Sequence, residues 1–356
     1  MKVLMIGVDK TSVGGMLTVV QNYLNSDDFC KATDLHYIST VIRANKLKKI
    51  TTFFKKIPII KRTIKKDGID IVHVHMAEKG SVFREGYVVH LAKKMGCKTV
   101  IHMHGANIEK WYNSQNPLVK NVVKKIFNSA DCMIVLGEKW KPFMVSVMGE
   151  ENAHKIRVLH NAVNVPKRKL YNIKSTNVLF YGMLIQRKGI DDLLGAFKKI
   201  LPVISPDIRL MLYGDDYDSP EKIQDKIARY GLTNRAYYKG WLTDENKSKV
   251  LEDTRVNVLP SYNEGLPMTI LESMSYGVPN ISTNVAAIPE AIDDGINGFI
   301  IEPGDIEELS KKLVQLIQNK KLRSEMSTAA YTKAQRKFSL EVHFSKLISI
   351  YESLLK

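Results

Sequence analysis

Short apolar runs rich in Val, Ile and Leu alternate along the chain with longer segments in which apolar residues recur every three or four positions. The first pattern suits strands buried on both faces and the second suits amphipathic helices, so the alternation reads as parallel βαβ units. Strands are expected at 2–8, 69–75, 98–104, 132–136 and 156–159, with a turn through Gly14 and Gly15 and helices at 16–24 and 82–94. The run His160-Asn161-Ala162-Val163-Asn164 reads as a linker, and beyond it the alternation restarts. Further strands are expected at 177–181, 209–213, 236–239, 256–259, 279–282 and 298–301, and helices at 189–200, 220–230, 267–276, 288–292 and 306–319. Two such runs in 356 residues predict an α/β protein of two Rossmann-like, doubly wound parallel-sheet domains, 1–165 and 166–338. Leu340, Phe344, Leu347, Ile348, Tyr351, Leu354 and Leu355 make 339–356 an amphipathic helix, expected to pack back on the N-terminal domain. Ligands of such sheets lie outside the carboxyl ends of the strands, so a cleft between the two domains is the expected site.

Charge changes the picture for the N-terminal half. Residues 1–165 hold 26 Lys+Arg against 13 Asp+Glu, whereas the remainder holds 27 against 24. The excess peaks at 43–66, where ten basic residues occur without an acidic one and Leu47, Ile50, Phe53, Phe54, Ile57, Ile59, Ile60 and Ile64 interleave. A basic, amphipathic, aromatic-bearing segment fits anionic lipid headgroups. Nucleic acid attracts the same charge, and a solvated helix face is the plainer reading. Pro58 is expected to split the segment into two short helices. Trp140-Lys-Pro-Phe143 is a second candidate interfacial patch. No stretch approaches the roughly 20 apolar residues of a spanning helix, the start MKVLMIGVDK lacks a signal-peptide core, and three cysteines share no close spacing. The expected location is therefore cytoplasmic, peripheral on the inner face of the cell membrane.

The densest chemistry lies at 261–279, reading SYNEGLPMTILESMSYGVP. After the strand at 256–259, a loop carries Glu264, Gly265 and Leu266, and Pro267 opens a helix where its missing N–H costs nothing. The free N–H groups and positive end of a helix accept anions, and Gly265 lets a phosphate approach the backbone. A carboxylate at Glu264 suits adjacent sugar hydroxyls beyond the anion, and Glu272 suits a second diol such as a ribose. His104 ends a strand before Gly105, with its ring expected to face the cleft, while His73 and His75 are expected to pack. Four histidines near two strand ends raise a metal site, but no carboxylate or cysteine completes a ligand set, so none is expected.

This segment resembles the E-x7-E motif of retaining glycosyltransferases of family 4, which have the GT-B fold. Other pieces match in order: Gly14-Gly15 after the first strand, Asp70-Ile-Val-His-Val-His75, His102-Met-His-Gly105, Ala130-Asp-Cys-Met-Ile-Val-Leu136, Asn161-Ala-Val163, Tyr181-Gly-Met-Leu-Ile-Gln-Arg-Lys-Gly189, and Gly295–Phe299 with Pro303-Gly304. The resemblance implies a retaining, metal-independent enzyme that needs no cofactor and moves a sugar from a nucleotide-diphosphate sugar to a glycan acceptor, lipid-linked as in bacterial surface polysaccharide. It implies catalytic roles for His104, Glu264 and Lys188, with donor binding by Gly14, Gly15, Arg187, Lys188, Gly265, Leu266, Pro267 and Glu272. Met183 stands where the family has arginine, and Arg187 is the candidate replacement. A sugar-nucleotide epimerase or phosphorylase of the same architecture is one alternative. A non-catalytic basic membrane- or nucleic-acid-binding protein is another; nucleic acid is not an expected partner, because such a protein leaves the acid-and-glycine site at 261–279 without a role.

Overall fold

The computed structural model describes residues 1–9, 14–42, 45–215 and 221–356. It divides into two compact units, one made of Met1–Asn161 with Leu340–Lys356 and the other of Ala162–Ser339. Residues 10–13 of the expected glycine turn, Arg43 and Ala44 of the basic segment, and the start of the expected 220–230 helix lie outside the described residues.

In the first unit, β1 (Val3–Val8), β2 (Leu35–Val41), β3 (Ile71–Met76), β4 (Lys98–Met103), β5 (Cys132–Val135) and β6 (Ile156–Val158) form a parallel sheet of order β2-β1-β3-β4-β5-β6. Its interior strands are buried on both faces, as is usual for parallel sheets. One face carries Leu4, Ile6, Val72, Val74 and Ile101 into a large apolar core. The opposite face carries His73, His75 and His102, because His75 pairs in register with His102 and alternate residues share a face. The last helix, Leu340–Leu355, covers that face: Tyr351 meets His73 at 2.5 Å and His343 meets Tyr23 at 2.6 Å.

β2 was not among the expected strands. It is an edge strand with mostly half-buried positions, so its apolar signal is weak. The basic segment also departs from expectation, forming one helix, Lys46–Asp67, with Pro58 inside it. Asn45 caps its start by accepting from the Lys48 N–H, and Gly68 ends it in the left-handed region at φ 65°. Phe53 and Ile57 before the exposed Pro58, partly buried, and Ile60 and Ile64 after it, fully or almost fully buried, hold the segment to the core and outweigh the lost hydrogen bond.

In the second unit, β7 (Asn177–Tyr181), β8 (Arg209–Tyr213), β9 (Ala236–Tyr238), β10 (Val256–Leu259), β11 (Asn280–Thr283) and β12 (Gly298–Ile301) form a second parallel sheet, ordered β12-β11-β10-β7-β8-β9. Strand order reverses between β7 and β10 here, and between β1 and β3 in the first sheet. At such reversals the loops at the carboxyl ends diverge and leave a crevice for ligand. Helices Asp244–Glu252 and Lys320–Phe338, neither expected from periodicity, complete this unit.

Candidate active site

The second unit brings Arg187, Lys188, Glu264, Gly265, Leu266 and Pro267 to its reversal point, on the segments that leave β7 and β10, with Glu272 on the helix Met268–Ser275 that follows. Backbone contacts stitch the two loops together. The Tyr262 N–H donates to the Arg187 carbonyl at 2.9 Å, and the Arg187 guanidinium donates to the Asn263 carbonyl at 2.6 Å. Gly189 sits at φ +72°, and a Cβ there would lie 2.0 Å from the Pro260 carbonyl oxygen. Only glycine permits this approach.

The central contact is an ion pair: Lys188 Nζ lies 2.5 Å from Glu264 Oε1, and the Ser261 hydroxyl donates to the same oxygen at 2.7 Å. Both side chains are largely withdrawn from water, at 14% and 7% exposure. The lysine and the hydroxyl together satisfy that carboxylate oxygen. Beyond Glu264 the helix Met268–Ser275 opens at Pro267 with no side chain capping it, so its first N–H groups remain available to an anion. Asn257 and Ser273 both donate to Asn280 Oδ1, at 2.7 and 2.8 Å, fixing that helix to β10 and β11.

Glu272 already has partners. Lys247 Nζ donates to Oε1 at 2.9 Å and the Tyr181 hydroxyl reaches Oε2 at 3.2 Å. Burial pushes the Glu272 carboxyl above its ordinary range, and Lys247 opposes that rise. Burial works against the Lys247 charge as well, yet Glu272 and Asp244 hold its pKa above the usual value. Sequence reasoning missed Lys247, Tyr181 and Ser261, since they lie 25, 91 and 3 positions from the acids they serve. Only Ser261 was close enough in the chain to be noticed.

The first unit holds the other predicted site residues. Gly14, at φ +105°, precedes the helix Gly15–Leu24, whose N-terminus therefore lies at the reversal between β1 and β3. The His104 N–H donates to the Met76 carbonyl at 2.7 Å, and its ring, half-buried, pairs with His75 Nδ1 through Nε2 at 2.8 Å. Burial, with a smaller contribution from His343, pushes the His104 pKa down to about 3, so the ring is neutral at physiological pH. Gly105 allows that turn, because a Cβ there would meet Glu78 at 2.4 Å. His73 and His75 are buried as expected, and His102 joins them.

Two doubly wound parallel sheets, one in each unit, are the architecture of the GT-B fold. Sequence comparison agrees: the family described as "Glycosyl transferases group 1" matches residues 164–333 and "Glycosyltransferase Family 4" matches residues 24–167. The chain belongs to this family and is an enzyme of the hexosyltransferase type. A relative in Escherichia coli, UDP-Gal:alpha-D-GlcNAc-diphosphoundecaprenol alpha-1,3-galactosyltransferase, is 28% identical over 82% of this chain and 77% of its own length. Among solved structures, sucrose-phosphate synthase of Thermosynechococcus elongatus superposes with a TM-score of 0.82 at 17% identity, covering 100% of this chain and 99% of that one. Anabaena HepE in complex with UDP-glucose superposes with a TM-score of 0.76 at 15% identity, covering 99% of each chain.

Proposed function

We propose that this glycosyltransferase moves a hexosyl unit from a nucleotide-diphosphate sugar to a lipid-linked glycan acceptor, with retention of configuration and without a metal at the diphosphate, in surface-polysaccharide assembly. The observation that carries the reading is the Lys188–Glu264 pair beside the uncapped helix start at Pro267. Glycosyl transfer builds positive charge at the anomeric carbon and negative charge on the departing diphosphate. The helix N–H groups, Lys188 and Arg187 supply the positive side from the chain itself. As diphosphate takes over Lys188, Glu264 is released to orient sugar hydroxyls and to face the developing cation. In the retaining step, the anomeric C–O bond to diphosphate breaks and the acceptor oxygen bonds the same face. The acceptor proton passes to the departing phosphate oxygen. In the first unit, the neutral ring of His104 and the amides at Gly14 and Gly15 are proposed as further donor contacts. The E. coli relative's name specifies a UDP-sugar and a diphosphoundecaprenol-linked acceptor, which supports both substrate classes.

An exposed apolar stripe supports a membrane-borne acceptor. Leu47, Ile50 and Phe54 recur at helical spacing on Lys46–Asp67 and are 77%, 52% and 63% exposed, flanked by Lys48, Lys49 and Lys55. Apolar side chains ringed by lysines bind an anionic bilayer surface. Among the described residues no helix is long and apolar enough to cross a membrane.

A thermal-shift panel of UDP-, GDP- and ADP-sugars selects the donor, since ligand binding raises the melting temperature. Nucleotide release is then measured with and without lipid-linked acceptor. Acceptor-dependent release that EDTA leaves unchanged supports the proposal. Release or sugar isomerisation independent of acceptor points instead to an epimerase, and strong EDTA inhibition overturns metal independence.

A further inference from the structure

The first unit contains a group of side chains that sugar transfer does not use. His73, His75 and His102 stand together on one face of β3 and β4, at 0%, 2% and 0% exposure. Four of their six ring nitrogens, His73 Nε2, His75 Nε2 and both of His102, are buried without a hydrogen-bond partner among the described residues. Buried polar atoms are nearly always satisfied, and four orphans in one place call for a common partner. The remaining two nitrogens are engaged from outside the cluster: His73 Nδ1 with the Tyr351 hydroxyl at 2.5 Å and His75 Nδ1 with His104 Nε2 at 2.8 Å. Each of those rings is thereby held by one nitrogen while the other is left open.

We propose that His73, His75 and His102 form a three-imidazole site for a divalent first-row transition ion, zinc foremost. Two histidines at alternate positions of one strand, with a third in register on the neighbouring strand, offer three nitrogens within 4.8 Å of one another. A tetrahedral ion with metal–nitrogen bonds of about 2.0–2.1 Å sets imidazole centres about 5 Å apart. The observed ring-centre separations are 4.8, 5.3 and 5.4 Å. Ligation requires the three nitrogens to draw together from within 4.8 Å by side-chain rotation. The donor set selects the ion: neutral imidazoles without carboxylates favour zinc, cobalt, nickel or copper over magnesium and calcium. Tyr351 and His104 serve as outer partners that fix ring orientation. The absence of a carboxylate or cysteine, which argued against metal at the level of sequence, is no obstacle once three imidazoles converge. The proposal does not rest on the donor reading, and the ion takes no part in neutralising the diphosphate.

The test uses the full chain without a polyhistidine tag, purified without chelator. Metal content by plasma mass spectrometry is expected near one zinc per chain. After removal of zinc by prolonged dialysis against a chelator, cobalt(II) is expected to restore stoichiometric binding with the visible absorption of four-coordinate cobalt. His102→Ala should lower metal content at least tenfold, whereas the exposed His90→Ala should not change it. Wild-type protein that carries no stoichiometric metal and gives no such cobalt spectrum overturns the proposal, whether or not the His102 variant folds. Equal loss of metal in the His90 variant overturns the assignment as well.

Discussion

Replacing Lys188 by methionine strands a carboxylate. Among the described residues Glu264 then keeps the Ser261 hydroxyl as its side-chain partner, at 7% exposure. Removing one member of a buried pair costs about 3–5 kcal/mol, and the residual exposure of both groups reduces this to about 2–4 kcal/mol. Glu264→Gln in the same chain removes the stranded charge while keeping an acceptor for Ser261. The double variant should therefore regain most of the stability, with a coupling energy of about 1–3 kcal/mol. Catalysis should not recover, because the cation for the departing diphosphate is gone in both. Loss of one such preorganised charge reduces turnover about 100- to 1,000-fold. Arg187 does not replace it while its guanidinium holds the Asn263 carbonyl. Hydrogen exchange at β7 and β10 amides reads the local stability, and acceptor-dependent nucleotide release reads the chemistry. Coupling below about 0.5 kcal/mol, the limit for independent sites, would refute the pair as a structural unit. Near-normal turnover in Lys188→Met would refute its role toward the diphosphate.

Gly189→Ala should destabilise the second unit by more than about 1–3 kcal/mol, since φ +72° is already unfavourable for alanine and the new Cβ strikes the Pro260 carbonyl; a melting temperature within a degree of wild type would contradict this. His343 accepts from Tyr23 and donates to the His160 carbonyl, and burial pushes its pKa down to about 4. Its contribution is fully present above about pH 6.5 and is lost as pH falls toward 4, up to about 3 kcal/mol. Urea titrations at pH 7 and 5 should show a smaller pH dependence in His343→Gln than in wild type. Leu47→Ser with Phe54→Ser should reduce flotation with anionic liposomes several-fold while leaving nucleotide release with a soluble acceptor analogue unchanged; unaltered flotation would remove the lipid-surface reading.

Buried strands were the most legible feature of the chain, because β3, β4, β7 and β10 are short runs carrying Val, Ile or Leu, buried on both faces. Edge strand β2 was not legible, since half of its surface faces water and its apolar pattern thins accordingly. Pro58 misled for a related reason: a helix tolerates proline when buried residues on the same turn hold it to a core, and the sequence does not show which isoleucines are buried. At the site, Glu264 and Pro267 were marked by their place after a strand end and Lys188 by the family resemblance, and the structure brings Lys188 and Glu264 into contact. Lys247 and Tyr181 were not, because they reach Glu272 only through tertiary packing. The histidine cluster falls between these cases. Alternation announced a shared face for His73 and His75, but only the register of β3 with β4 brings His102 beside them.

The most direct measurement of the central claim is a crystal structure with the nucleoside diphosphate that the thermal-shift panel selects. The account predicts diphosphate density against the first amides of the Met268–Ser275 helix, within hydrogen-bond distance of Lys188 Nζ, with Glu264 drawn away from the lysine. A ligand bound elsewhere, or a Lys188–Glu264 contact still closed with the diphosphate in place, would contradict it.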